Sequence, residues 1–263
     1  MSYPNLKSNL FLRALSAAVF LSVLSRCGAP AVLYDEPYDS PLATYRYSCR
    51  PLDSLTVAAV LPELEARFGK NLEAEAYRDK LLAALSFYPE LRDKRIRLVN
   101  RRLRTSMAAR PKILAGGRDR RMYTVFADDI TDKASDFRKS SYSAQVGCFI
   151  HELGHISHYV KRSDLQLAGE GLGYVTSQQY KNGYERIADS LAIRNGGGYY
   201  VYLYRTFTFE EADLPDAYLA FKRRNYTDNR QLLQKHIAYL RRNSVDKCAT
   251  YLNDPAGAQV PGN

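Results

Sequence analysis

Hydrophobic positions along this chain follow three regimes. The first is an apolar run without period, "ALSAAVFLSVLS" at 14–25, preceded by Lys7 and Arg13. The second is helical recurrence, in "SLTVAAVLPELEARFG" at 54–69, broken at Pro62, and in "LEAEAYRDKLLAALSFY" at 72–88. It returns from Ser140, where Val146, Phe149, Ile150, Leu153 and Ile156 recur at three- and four-residue steps and Ser140, Ser141 and Ser143 offer N-caps. The third is alternation, in "RIRLVNRRLRTSM" and in "RMYTVFADDI", which follows the turn-forming "AGG" at 115–117 and predicts two or more strands. After the helix at 140–160, Gly169, Gly171 and Gly173 predict a loop; "YERIADSLAIR" predicts a helix stopped by "NGGG" at 195–198. Two further helices are expected at 209–224 and 228–243. No internal repeat is visible, and the pattern predicts an α+β domain with a small sheet, mostly helical elsewhere.

The apolar run is short for a membrane span and right for a signal-peptide core, so residues 1–26 are read as a signal. "LSRC" at 24–27 resembles the bacterial lipoprotein box, which would make Cys27 the lipidated first mature residue, although Arg26 stands where that box has a small residue. "APA" at 29–31 would instead suit an ordinary signal peptidase. Either reading exports the protein, to a periplasm, to a membrane as an anchored lipoprotein, or to the medium. Residues 27–50, rich in proline and tyrosine without sustained period, read as a tether or an extended surface segment, 51–248 as the folded domain, and 249–263 as a flexible tail. If Cys27 is lipidated, Cys49, Cys148 and Cys248 remain; Cys49 and Cys248 could then pair, leaving Cys148 as a buried hydrophobe, a bridge that sequence alone does not establish.

Charge is uneven. Residues 92–123 hold twelve Lys and Arg against two Asp, which equals the formal net charge of +10 for the whole chain. Arginine on the outward positions of a hairpin accounts for this block; attraction to an anionic membrane surface is the other reading. No nucleic-acid module is recognisable, so no nucleic-acid partner is expected.

Three of the four histidines lie in "CFIHELGHISHYV" at 148–160. His151 and His155, four apart on a helix, project from one face at the spacing that lets two imidazoles hold one metal ion. In this H-E-x-x-H arrangement Glu152 is the base that takes a proton from water. Gly154, inside the helix, implies close approach of a neighbouring segment. Thirty residues after His155, Glu185 and Asp189 share a helix face. Glu185 can supply a third ligand, leaving a fourth position open for water, and Asp189 can accept the second ring N–H of a ligating histidine. Glu170 is a rival third ligand, its glycine-rich surroundings arguing for a loop. His158 has no ligand role in the motif, and His236, in "QLLQKHIAYL", reads as an ordinary helix residue.

"HELGH", the "ExxAD" within "YERIADSLA" and a preceding strand together resemble the gluzincin zinc metallopeptidases over residues 95–197. The resemblance implies a zincin-like domain at 51–248 with one Zn2+ per chain on His151, His155 and Glu185, Glu152 as general base, and a peptide or protein substrate lying along "RMYTVFADDI" as an edge strand. The metzincin variant would place its third ligand at Lys161. Tyr199, Tyr200, Tyr202 and Tyr204 are oxyanion-stabilising candidates by proximity in sequence. The expected function is zinc-dependent peptide hydrolysis in the cell envelope. The alternative is a catalytically inactive envelope lipoprotein that binds metal or, through residues 92–123, an anionic surface.

Overall fold

Residues 40–113, 120–130, 134–243 and 248 are described by the computed structural model. The signal 1–26, Cys27, the "AGG" turn and the tail 249–263 lie outside them. The chain divides into units Met1–Tyr38 and Asp39–Asn263, and all described residues belong to the second. That unit is α+β and mostly helical. Among the described residues no helix is long and apolar enough to cross a membrane.

The first helix, α1 (Ser54–Phe68), is capped by Asp53, whose carboxylate accepts from the Thr56 amide. It runs through Pro62 where the sequence predicted a break. Proline removes the hydrogen bond to the carbonyl of Ala58, but Ala58 is exposed, so water can replace it. A short strand β1 (Leu72–Glu73), helix α2 (Arg78–Leu85) and strand β2 (Arg95–Asn100) form a parallel β-α-β unit. Two more strands, β3 (Met107–Pro111) and β4 (Met122–Ala127), complete a mixed sheet in the order β1-β2-β4-β3. The alternation in β4 is real, with Tyr123, Val125 and Ala127 buried. Its expected edge position is not: β4 pairs in parallel with β2 on one side and antiparallel with β3 on the other. The edges are β1 and β3, because β2 takes the place beside β4 that a simple hairpin would leave open.

Helix α3 (Tyr142–Tyr159), capped by Ser141, is the centre of the molecule. Every residue from Ser143 to Tyr159 except Gln145 is buried. Its apolar face enters the common core with α2, β3 and β4, while Tyr88 donates to the Ile150 carbonyl at 2.8 Å and Tyr159 to the Ala109 carbonyl at 3.2 Å. Behind it stand α5 (Gln178–Arg194) and α6 (Gly198–Thr206). Two glycines of α3 permit this. A Cβ on Gly147 would lie 1.9 Å from the Tyr200 carbonyl oxygen, and one on Gly154 2.8 Å from that of Ala188. Both obstacles are backbone, which cannot swing aside. Gly147→Ala should therefore destabilise the protein by about 2–3 kcal/mol, because the overpacking exceeds the helix propensity gained, of about 1 kcal/mol. A urea midpoint equal to that of the parent would contradict this packing.

Residues 163–177 depart from expectation. In place of a loop they form α4 (Asp164–Thr176), opened by a capping box between Ser163 and Gln166. Each helical glycine costs about 1 kcal/mol, but tertiary contacts repay this: Leu167 is buried, Glu170 pairs with Arg162 at 2.9 Å, and Gly173 lies against the ring of Tyr180. Buried Arg121, from the basic segment, braces the turn into α4 by donating to the carbonyls of Tyr159 and Arg162, both at 3.0 Å, and to the Asp164 carboxylate. Arg95 and Arg97 of that segment pair with Glu73. A π-helical turn (Phe207–Glu211) follows α6, so the expected helix at 209–224 begins only at α7 (Asp216–Asn225). Helix α8 (Asn229–Arg242) is capped by Asp228 and closes the described fold.

Candidate metal centre

The crossing of α3 and α5 at Gly154 and Ala188 brings the predicted residues together. His151 is 4 % exposed, His155 6 % and Glu185 4 %, and one ligand atom from each lies within 4.8 Å of the others. Glu185 Oε2 is 3.2 Å from His151 Nε2 and 3.3 Å from His155 Nε2. Both imidazoles thus aim the nitrogen farther from the backbone at one carboxylate oxygen. This is a buried group able to bind a metal ion. The other oxygen of Glu185 accepts from the Tyr174 hydroxyl at 2.9 Å.

The surroundings fix the orientation of each ligand. His151 Nδ1–H donates to Asp189 Oδ1 at 2.9 Å, the contact anticipated from the four-residue spacing of Glu185 and Asp189. His155 stacks on Tyr184, with ring centroids 5.2 Å apart and planes 19° from parallel. Arg205, 2 % exposed, donates to Asp189 Oδ1 at 3.2 Å and lies over the Tyr226 ring at 4.2 Å. Burial would raise the Asp189 carboxyl, but the Arg205 charge and the His151 hydrogen bond hold it down at about 2. Against the same burial, the two histidines hold Glu185 well below the usual carboxylate range. Both acids are therefore ionised and available to positive charge at neutral pH.

Glu152 is buried at 7 % exposure, and its Oε2 has no hydrogen-bond partner among the described residues. An unsatisfied buried carboxylate oxygen costs upward of about 1–3 kcal/mol, so this side chain sits where a donor is missing. Two imidazoles and one carboxylate make up the donor set of this group.

No protein family, curated protein or solved structure matches this chain. The chemistry of the centre must be argued from its own residues.

Other candidates fall elsewhere. Glu170 lies on α4 and meets His158 Nε2 at 3.0 Å, which gives both residues a partner outside the ligand set. Tyr200 donates to the Arg50 carbonyl at 2.9 Å, and Tyr204 is buried beside Cys148. Tyrosines that do reach the centre include Tyr184, stacked on His155, Tyr174, and Tyr226, whose ring centroid is 5.9 Å from that of His151. Lys222, 4 % exposed, rests on Tyr226 at 4.6 Å; burial and then Arg205 lower its ammonium to about 8, while Glu185 and Glu152 pull it upward. Tyr174, Arg205, Lys222 and Tyr226 carried no sequence signal, since each reaches the centre from an element whose docking no local pattern specifies.

Asp189→Asn retains the shape but not the charge that orients His151. Metal affinity should fall 10–100-fold, as for other hydrogen-bond partners of ligating histidines. Competition with a chromophoric chelator measures it, and an unchanged affinity would remove Asp189 from the centre.

Proposed function

We propose that this protein is a zinc-dependent peptidase of zincin type, with one Zn2+ held by His151, His155 and Glu185. The observation that carries the reading is the gathering of two imidazoles and a carboxylate in one buried group, with Glu152 next to His151 in the chain and one of its oxygens buried without a partner among the described residues. A structural metal site has no use for a desolvated carboxylate, whereas hydrolysis needs a base at that place.

Bound zinc would supply Lewis-acid polarisation of a scissile carbonyl and acidify water at the open position. The chain's own residues do the rest. Glu152 accepts the proton of the attacking water and returns it to the leaving amine. Asp189 and Arg205 keep the His151 ring in one tautomer, and Tyr174 holds the second oxygen of Glu185. Tyr226 and Lys222 place a hydroxyl-bearing ring and a cation near the negative charge that develops on the substrate oxygen. An extended peptide would add to β3, the edge strand beside α3. If residues 1–26 act as the signal that their apolar run suggests, this activity belongs to the cell envelope.

Elemental mass spectrometry of the purified chain tests the metal assignment. The expected result is close to one zinc per chain, with hydrolysis of a mixed peptide library abolished by a chelator and restored by zinc. A chain that takes up no zinc on reconstitution would overturn the proposal.

A further inference from the structure

A second constellation lies at the C-terminal end of α5, and the metal centre makes no use of it. Cys49 and Cys248 form a disulfide that joins the segment before α1 to the chain beyond α8. Its neighbour is His236 of α8. Both sulfurs and a ring nitrogen of His236 lie within 4.8 Å of one another, and the three residues are 3 %, 1 % and 0 % exposed. The site is built into the fold: Tyr47 donates its amide to the Gly196 carbonyl at 3.0 Å, Arg46 Nε to the Asn195 carbonyl at 3.0 Å, and the absence of a side chain on Gly198 leaves the room that His236 Nδ1 occupies.

His236 is the anomaly. Neither of its ring nitrogens has a hydrogen-bond partner among the described residues. A wholly buried imidazole left unsatisfied costs about 1–3 kcal/mol, and leucine would fill the place without that cost. Burial lowers its pKa to about 4, with the Ser48 backbone beside it acting in the other direction. The ring therefore presents a free lone pair next to two sulfurs.

We propose that, with Cys49 and Cys248 reduced, their two thiolates and His236 form a buried Cys2His site for a thiophilic ion, Zn2+ or Cu+, and that closing the disulfide expels it. Ligand distances of about 2.3 Å for sulfur and 2.0 Å for nitrogen put the three ligand atoms roughly 3.3–3.8 Å apart around such an ion. The sulfurs reach that separation by side-chain rotation once their bond is open, with the backbone left at its present Cα–Cα distance of 5.2 Å. Soft thiolates and a neutral imidazole select these ions over Mg2+ or Ca2+. Binding to the dithiol form releases the two thiol protons. In oxidation the two sulfurs give up two electrons to an external disulfide, which takes two protons and leaves as two thiols; Cys49 and Cys248 become bonded to each other and the ion departs. The newly made chain passes through the dithiol form before the disulfide exists, so the ion would hold the two ends of the domain together until oxidation replaces it.

The test uses the full chain and its Glu185→Ala variant, which separates this site from the centre at His151. Each is reduced with a phosphine, kept anaerobic, and titrated with Zn2+ and with Cu+ in separate arms against chromophoric chelators. The reduced chain should hold one ion more than the oxidised chain, in both the parent and Glu185→Ala, and the tighter arm identifies the ion. The additional ion should persist in Cys148→Ala, which removes the remaining thiol of the described residues. His236→Leu should weaken it at least about 10-fold while its disulfide form keeps the far-UV spectrum of the parent. Equal stoichiometry in reduced and oxidised chains, undiminished binding by His236→Leu, or a reduced chain that stays unfolded with ion present would each overturn the proposal.

Discussion

Glu152→Gln should bind zinc as the parent does and lose at least about 100-fold, up to 10⁴-fold, in kcat. The substitution is nearly isosteric and leaves His151, His155 and Glu185 in place, so the metal count should remain near one. What it removes is the carboxylate with the free, buried oxygen. An amide nitrogen cannot accept the water proton, and an amide oxygen is far too weak a base. Because one oxygen of the buried parent carboxylate has no partner among the described residues, the neutral amide should also raise stability slightly, which a urea midpoint would register. A variant that hydrolyses peptides at the parental rate would show that the water is activated by another group. Zinc-free Glu152→Gln protein would make Glu152 a ligand.

Glu185→Ala should lose zinc altogether under conditions that saturate the parent, a fall in affinity of more than about 100-fold. This exceeds the 10–100-fold expected of an outer hydrogen-bond partner such as Asp189. Glu185 Oε2 lies within 3.3 Å of the Nε2 atoms of both histidines, and its removal also leaves the Tyr174 hydroxyl without its acceptor. Two histidines alone form a weak, open site. Elemental analysis after dialysis is the measurement, and retention of one zinc would transfer the third ligand to another residue. The predictions are separable: Glu152→Gln dissociates activity from metal, whereas Glu185→Ala removes both.

The centre was unusually legible because its parts are local. His151 and His155 at four residues and Glu185 and Asp189 at four residues each fix a shared helix face, whatever the rest of the chain does. Gly154 gave a hint of the crossing, and Ala188 proves to be what crosses there. The pairing of Cys49 with Cys248 was one possibility in the sequence, and the fold is what joins them.

Errors arose where the outcome depended on partners distant in sequence. The glycines of 169–173 argued for a loop, and α4 forms because Glu170, Leu167 and Tyr174 are each held by residues outside it. Pro62 argued for a break, and the exposure of Ala58 removes the penalty. Alternation in "RMYTVFADDI" identifies a strand but not its neighbours, and β2 makes it an interior one. Likewise His236 read as ordinary, because only the fold seats it against a disulfide whose halves are 199 residues apart.

The sequence by itself determined the helices that carry the candidate ligands, the α+β class, and which side chains share a face. These follow from the 3.6- and 2-residue periods of the backbone, which operate over a few residues. Only the tertiary structure decided strand order, the helical state of 164–176, and the recruitment of Tyr174, Arg205, Lys222 and Tyr226. Those depend on the relative placement of elements, set by the packing of whole surfaces, and no stretch of a dozen residues contains that information.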